Sequence, residues 1–268
     1  MRNEGYAPEG GENMPNHVQN RVIMTGEQSR IDDLLRMVQN DEEGLGTIDF
    51  NKIIPMPREL EIECGSRTEQ GFKAYSDFIS VYLLGQPDGK IDVFSIPEIS
   101  EKAFLKVRKD IDPETWSIGK KAYHNKIKFG HLGWYDWCIA NWGTKWNAYS
   151  FGQANTNTLS FNTAWSCSMP VMTKLSEMFP DVHFNYAWAD EDFGNNVGEV
   201  ELRGGERTYE NIPTPFTKEA YEMAADIRGE DLLADRHMMF NEESDNYERL
   251  SDEEWEAIEA SGEPQQSM

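Results

Sequence analysis

A chain of 268 residues with 38% hydrophobic side chains is long enough to bury one large core or two smaller ones. Against 25 Lys and Arg stand 48 Asp and Glu, a formal charge of −23, which excludes general phosphate-backbone binding by the chain as a whole. No apolar run approaches the roughly 18 residues of a membrane span. The N-terminus lacks a basic-then-apolar signal, and Cys64, Cys138 and Cys167 are poor material for disulfides, so the expected setting is cytosolic.

Residues 1–13 hold three Gly, one Pro and no aliphatic cluster, and are expected to form a flexible leader. His17 to Thr25 alternates as a strand, with Val18, Val22 and Met24 on one side. Gln28 to Asn40 has the spacing of a helix, with Ile31, Leu34, Leu35 and Val38 on its buried face. Thr47 to Ile54 is predicted as the next strand, stopped by Pro55 and Pro57.

The character then changes. Glu69 to Leu84 and Ile99 to Ile111 have helical spacing, the second with Lys102, Lys106 and Lys109 along its outer face. His131 to Trp142 is apolar on most sides, which marks a buried helix. The strand pattern resumes over 159–165, where Leu159, Phe161, Thr163 and Trp165 alternate with polar residues. Met169 to Phe179 is a short helix, and Val182, Phe184, Tyr186 and Trp188 mark another strand. Gly198 to Leu202 and Arg207 to Ile212 read as strands, and Thr217 to Arg228 as a terminal helix. Beyond Phe240 only Ser251 to Ala260 is a helix candidate, with Ser251 and Glu254 as a capping box.

These elements predict an α+β protein: a ferredoxin-like split βαββαβ antiparallel sheet with two helices on one face. The expected boundaries are 14–57 and 151–228 for the ferredoxin-like domain, 58–150 for a helical Trp-rich insertion, and 229–268 for an acidic tail. The central-strand aromatics share one alternation phase, so the open face should carry Ser160, Asn162, His183 and Asn185, with no rings for base stacking.

Several separated stretches carry a family resemblance. They are Met14 to Arg21, Asn141 to Ala148, Phe161 to Trp165, Leu175 to Pro180, and Asp190 to Asp192 with Gly194 to Asn196. Together they resemble the YubB ferredoxin-like family of bacteriophage and conjugative-plasmid proteins. The resemblance spans about Met14 to Gly205. It implies the ferredoxin-like fold and a mobile-element origin, and it carries over no catalytic residues.

Two constellations could carry chemistry. Trp134, Trp137, Trp142, Trp146 and Trp165 fall within 32 residues, interleaved with Asn141, Lys145 and Asn147. They form either an indole shelf that grips a ligand or a seal between the insertion and the sheet. Asp190, Glu191 and Asp192 open an oxygen-rich loop, either a hard-cation site or an ordinary turn. Asp190, Asp192 and Glu201 fit a calcium loop at its two ends, yet Gly194 stands where a ligand is needed. The histidines show no ligand spacing, although His17 and His183 lie on strands that pairing would bring together. Phosphate-loop, dinucleotide, paired-cysteine and serine-elbow motifs are absent from the sequence.

The candidate binding residues are therefore Trp142, Lys145, Trp146, Asn147, Trp165, Asp190, Glu191 and Asp192, with no catalytic set, no metal ligands and no cofactor implied. From Asp190 onward 23 acidic residues face 6 basic ones, whereas 100–131 holds 8 basic and 4 acidic. Three functions follow. The first is a non-enzymatic protein that binds a host macromolecule, such as a defence component, through a nucleic-acid-like acidic surface. The second is nucleic-acid binding through the basic insertion. The third is a divalent-metal enzyme using Asp190, Asp192 and Glu199.

Overall fold

The computed structural model describes residues 15–86 and 89–261; the expected leader lies outside these residues. The chain opens with β1 (His17–Thr25) and α1 (Gln28–Val38), then leaves the sheet for α2 (Ser66–Leu84), α3 (Glu98–Leu105), α4 (Pro113–Phe129) and α5 (Trp134–Trp142). It returns as the hairpin β2 (Tyr149–Asn155) and β3 (Thr158–Ala164), then crosses through α6 (Met169–Met178) to β4 (His183–Asp190). Then come β5 (Val197–Arg203), β6 (Glu206–Asn211) and α7 (Lys218–Arg228). The hairpin of β7 (Met238–Asn241) and β8 (Asn246–Arg249) follows, and after it α8 (Asp252–Ser261).

The six-stranded sheet has the order β2-β3-β1-β4-β5-β6, antiparallel throughout. Its first four members are the ferredoxin-like βαββαβ unit, and β5 and β6 extend one edge. Val18, Val22 and Met24 of β1 face the same core as Ile31 and Leu34 of α1, Val171 and Leu175 of α6, and Phe161, Phe184 and Tyr186. Asn20 is buried in that apolar row. Its Nδ2 donates to the Val18 carbonyl (2.8 Å) and Thr163 Oγ1 (2.9 Å), and its Oδ1 accepts from Tyr186 Oη (2.6 Å). Such full satisfaction makes a buried amide tolerable.

The second strand is not where the alternation placed it. Residues 47–54 form a connection containing the 3-10 turn Phe50–Lys52. Asp49 caps that turn by accepting from the Asn51 N–H (2.9 Å). Asn147 Oδ1 takes the Phe50 N–H (2.9 Å), so backbone that would join a ladder is already occupied. Ile48, Phe50 and Ile53 are buried as loop anchors, which imitates a strand's alternation. The true partner of β3 is β2, whose register shifts twice over seven residues and which the period-2 pattern therefore missed. Between α1 and the helical excursion lies this core-anchored connection and no strand of the sheet.

Within the excursion α2 and α4 pack on a core of their own, built on Tyr75, Phe78 and Trp116. They cross at Gly71 and Gly119, where a Cβ on either would run into the other's backbone. The predicted helix over 99–111 stops at Leu105. Trp137, Cys138 and Trp142 of α5 join the main core instead, sealing the excursion to the sheet.

Ser160, Asn162, His183 and Asn185 lie half-buried on the other face, as the phase predicts. That face is not wholly open, because α7 packs Ala220, Ala224 and Ile227 on Ala187, Ala189 and Val197. Arg21 fixes it by donating to Asp226 Oδ2 (2.5 Å). The tail is structured up to 261. Lys218 lies over Phe240 (4.4 Å), Arg236 over Phe193 (4.4 Å), and His237 stacks on Trp255 (4.1 Å). Ser251 caps α8, its Oγ accepting the Glu254 N–H (3.3 Å) while Glu254 Oε2 accepts the Ser251 N–H (2.8 Å). Among the described residues no helix is long and apolar enough to cross a membrane.

Candidate functional site

The tryptophan-rich segment meets the sheet just past α5. Gly143 ends that helix at φ 79°, against Pro170 and the Cys167 carbonyl where a Cβ has no room. Thr144 closes the end of β3, its Oγ1 donating to the Ala164 carbonyl (2.8 Å) and accepting the Ala164 N–H (3.0 Å). The Lys145 side chain then turns inward and is 8% exposed. Its Nζ lies 4.5 Å from the Trp165 ring centre and 4.8 Å from that of Trp146. Among the described residues no carboxylate pairs with it, so two indole faces are what offset its charge.

Trp165 stands just beyond β3, not on the strand as predicted, at φ 69°. Its N–H donates to the Asn16 carbonyl (2.9 Å), and its own carbonyl accepts from Asn196 Nδ2 (3.2 Å). Both asparagines also donate to Asp190, Asn16 to Oδ1 (3.1 Å) and Asn196 to Oδ2 (2.9 Å). The Asp192 N–H adds a third donor to Asp190 (2.9 Å). Asp190 is thus a buried hub of neutral donors that orients the Trp165 backbone. Beside it, His17 Nδ1 and the Tyr149 hydroxyl lie 2.6 Å apart. Burial and the Glu191 charge push the Tyr149 hydroxyl up to about 12, so it stays protonated.

Lys145, Trp146 and Trp165 therefore form one cluster, with Asp190 at the end of β4 and Glu191 just past it, across β1 from β3. Glu191 and Asp192 are exposed. Trp142 and Asn147 sit elsewhere. Trp142 is buried edge-on against Phe50 and Trp137, with Nε1 donating to the Ile54 carbonyl (2.9 Å). Asn147 ties the excursion to 49–50, its Nδ2 donating to Asp49 Oδ1 (2.7 Å). Asn16, Thr144 and Tyr149 carry no local sequence signal, because their roles come from strand register and long-range contacts.

The remaining candidate groups are dispersed. His17 and His183 do not meet, since the antiparallel register sets Val18 opposite Asp190 and Thr25 opposite His183. His183 pairs with Glu201 (3.3 Å), which draws that carboxylate away from the 190–192 loop. Among the described residues no three His, Cys, Asp or Glu side chains are grouped to hold a metal ion. Burial pushes Cys138 up to about 12 and Cys167 to about 11, and raises Cys64, so all three stay as thiols.

The charges sort unequally. Lys102 pairs with Glu98 (2.9 Å), Lys120 with Glu101 (2.6 Å) and Lys128 with Glu59 (2.6 Å), all within or beside the excursion. The tail gains nothing from these lysines. Arg228 (2.9 Å) and Arg236 both pair with Glu230. The exposed Asp231, Asp235, Glu242, Glu243, Asp245 and Glu248, and the carboxylates of α8, form no ion pair among the described residues.

The fold and this charge arrangement define an α+β ferredoxin-like protein with an aromatic-flanked lysine at one sheet end and an acidic tail whose carboxylates beyond Glu230 form no ion pair among the described residues. Residues 141–229 match a family model described as a ferredoxin-like domain in Api92-like protein. The chain is also similar to the crystal structure of protein Api92 from Yersinia pseudotuberculosis, at 13% identity and a TM-score of 0.36, over 75% of this chain and 100% of that one. No curated protein matches the chain significantly.

Proposed function

We propose that this chain is a non-enzymatic binding protein of a phage or conjugative plasmid, acting in the bacterial cytoplasm. It occupies a basic groove of a host macromolecule, such as a nucleic-acid-binding defence complex, by presenting carboxylates where that groove expects phosphates. The observation that carries this reading is the structured tail, whose exposed carboxylates from 231 to 259 pair with no cation of the described residues. Carboxylates already neutralised at home have little to offer a basic partner, whereas these retain their full field. The resemblance to phage and plasmid proteins supports the setting.

The test is affinity capture from bacterial lysate at about 50 mM and about 500 mM salt, where screening lengths differ severalfold. The comparison is a hairpin variant carrying Glu242→Gln, Glu243→Gln, Asp245→Asn and Glu248→Gln. A basic protein or complex held at low salt, released at high salt and lost with the variant supports the reading. Capture that ignores both salt and variant, or no capture at all, overturns it.

A further inference from the structure

The excursion carries an apolar groove that the acidic-surface reading does not use. Phe78, Val81 and Tyr82 of α2 form one wall, and Ala103, Phe104 and Val107 on and just after α3 form the other. Its volume is about 450 Å³, within the range of small binding clefts. Val81 is 59% exposed and Val107 78%, and Leu84 and Ile99 on the same two helices are more exposed than Val81. Apolar side chains concentrated this way mark an interaction surface.

The charge around the groove narrows the occupant. Beside it Lys102 pairs with Glu98, and Arg108 with Asp77 and Asp110, so these charges are already met. Lys106 and Lys109 adjoin the groove wall in sequence and pair with no carboxylate among the described residues. A helix entering here should be acidic and carry two apolar residues a turn apart.

The chain contains such a helix. On α8, Trp255 and Ile258 stand three apart on one face, while Asp252, Glu253, Glu254, Glu256 and Glu259 surround them. We propose that the groove takes α8 of a second copy of this chain. Trp255 leaves its stack on His237, α8 swings about Leu250, and the indole and Ile258 enter between α2 and α3 of the partner. Reciprocal exchange then closes a two-fold dimer. A groove-to-groove dimer would instead bring the lysines of both copies together and is disfavoured.

The test is sedimentation equilibrium of the full chain across a wide concentration range. Average mass rising toward two chains at low salt, with association weakened at least tenfold at about 500 mM salt, is expected. Val107→Glu should abolish it, and Trp255→Ala likewise, with circular dichroism confirming that each variant folds. Lys106→Glu should weaken it, and Glu256→Lys in the same chain should restore it. A chain that stays monomeric throughout overturns the proposal, as does association that survives Val107→Glu, whether with itself or through another protein's helix.

Discussion

A lysine with nine-tenths of its surface buried and no carboxylate of the described residues pairing with it would be strongly destabilising if nothing else met its charge. At Lys145 two indoles supply that, each worth about 0.5–2 kcal/mol. Holding Trp165 in the left-handed region costs about 1–3 kcal/mol, which the hydrogen bonds from Asn196 and to Asn16 help to offset. A half-buried histidine sets a pH response. His124 is packed between Phe94 (4.8 Å) and Tyr75 (5.8 Å), and burial lowers its pKa from the ordinary 6.5. Its imidazole takes up a proton less readily in the folded state than in the unfolded chain. Stability is therefore complete above about pH 6.5 and declines as pH falls through the depressed folded value, by no more than about 1.4 kcal/mol per pH unit. Urea unfolding from pH 7.5 to 5 should show this slope, and His124→Phe should flatten it.

Among the elements, α2 and α4 approach so closely that glycine is required on both sides, Gly71 meeting Gly119. Their core is separate from that of the sheet, so damage there should stay local. Gly119→Ala should destabilise the pair by about 3 kcal/mol. Hydrogen exchange should then accelerate across α2 and α4 while β1 and β4 stay protected; equal acceleration everywhere would contradict the two-core description. A different principle governs 47–54. Isolated apolar anchors in a capped turn resemble a strand in sequence, and only the hydrogen bonds to Asn147 and within the Asp49 turn separate the two.

For the whole molecule, charge is the dominant variable. Self-repulsion among 48 acidic residues against 25 basic ones opposes compaction, and the paired lysines of the excursion do nothing to relieve the tail. Screening should therefore stabilise the protein. Raising salt from about 20 mM to about 300 mM should lift the melting temperature by about 2–4 °C, the shift that roughly 1 kcal/mol produces at this size. A fall in melting temperature would mean that the exposed ion pairs matter more than the repulsion.

By itself the sequence determined the α+β class, strands β1, β3, β4, β5 and β6, helices α1, α6 and α7, and the capped α8. Each is a local pattern of period 2 or 3.6 punctuated by Gly, Pro or a capping residue. It also brought Lys145, Trp146 and Trp165 forward as candidates. Tertiary structure alone decided that β2 completes the sheet, that α7 covers part of the other face, and that Trp142 and Asn147 fasten the excursion. It alone decided that Asp190 orients the Trp165 backbone and that His17 lies far from His183. The physical reason is common to all of these. Register and long-range hydrogen bonds join residues up to 208 positions apart, and no periodicity in a short window encodes which distant groups will meet.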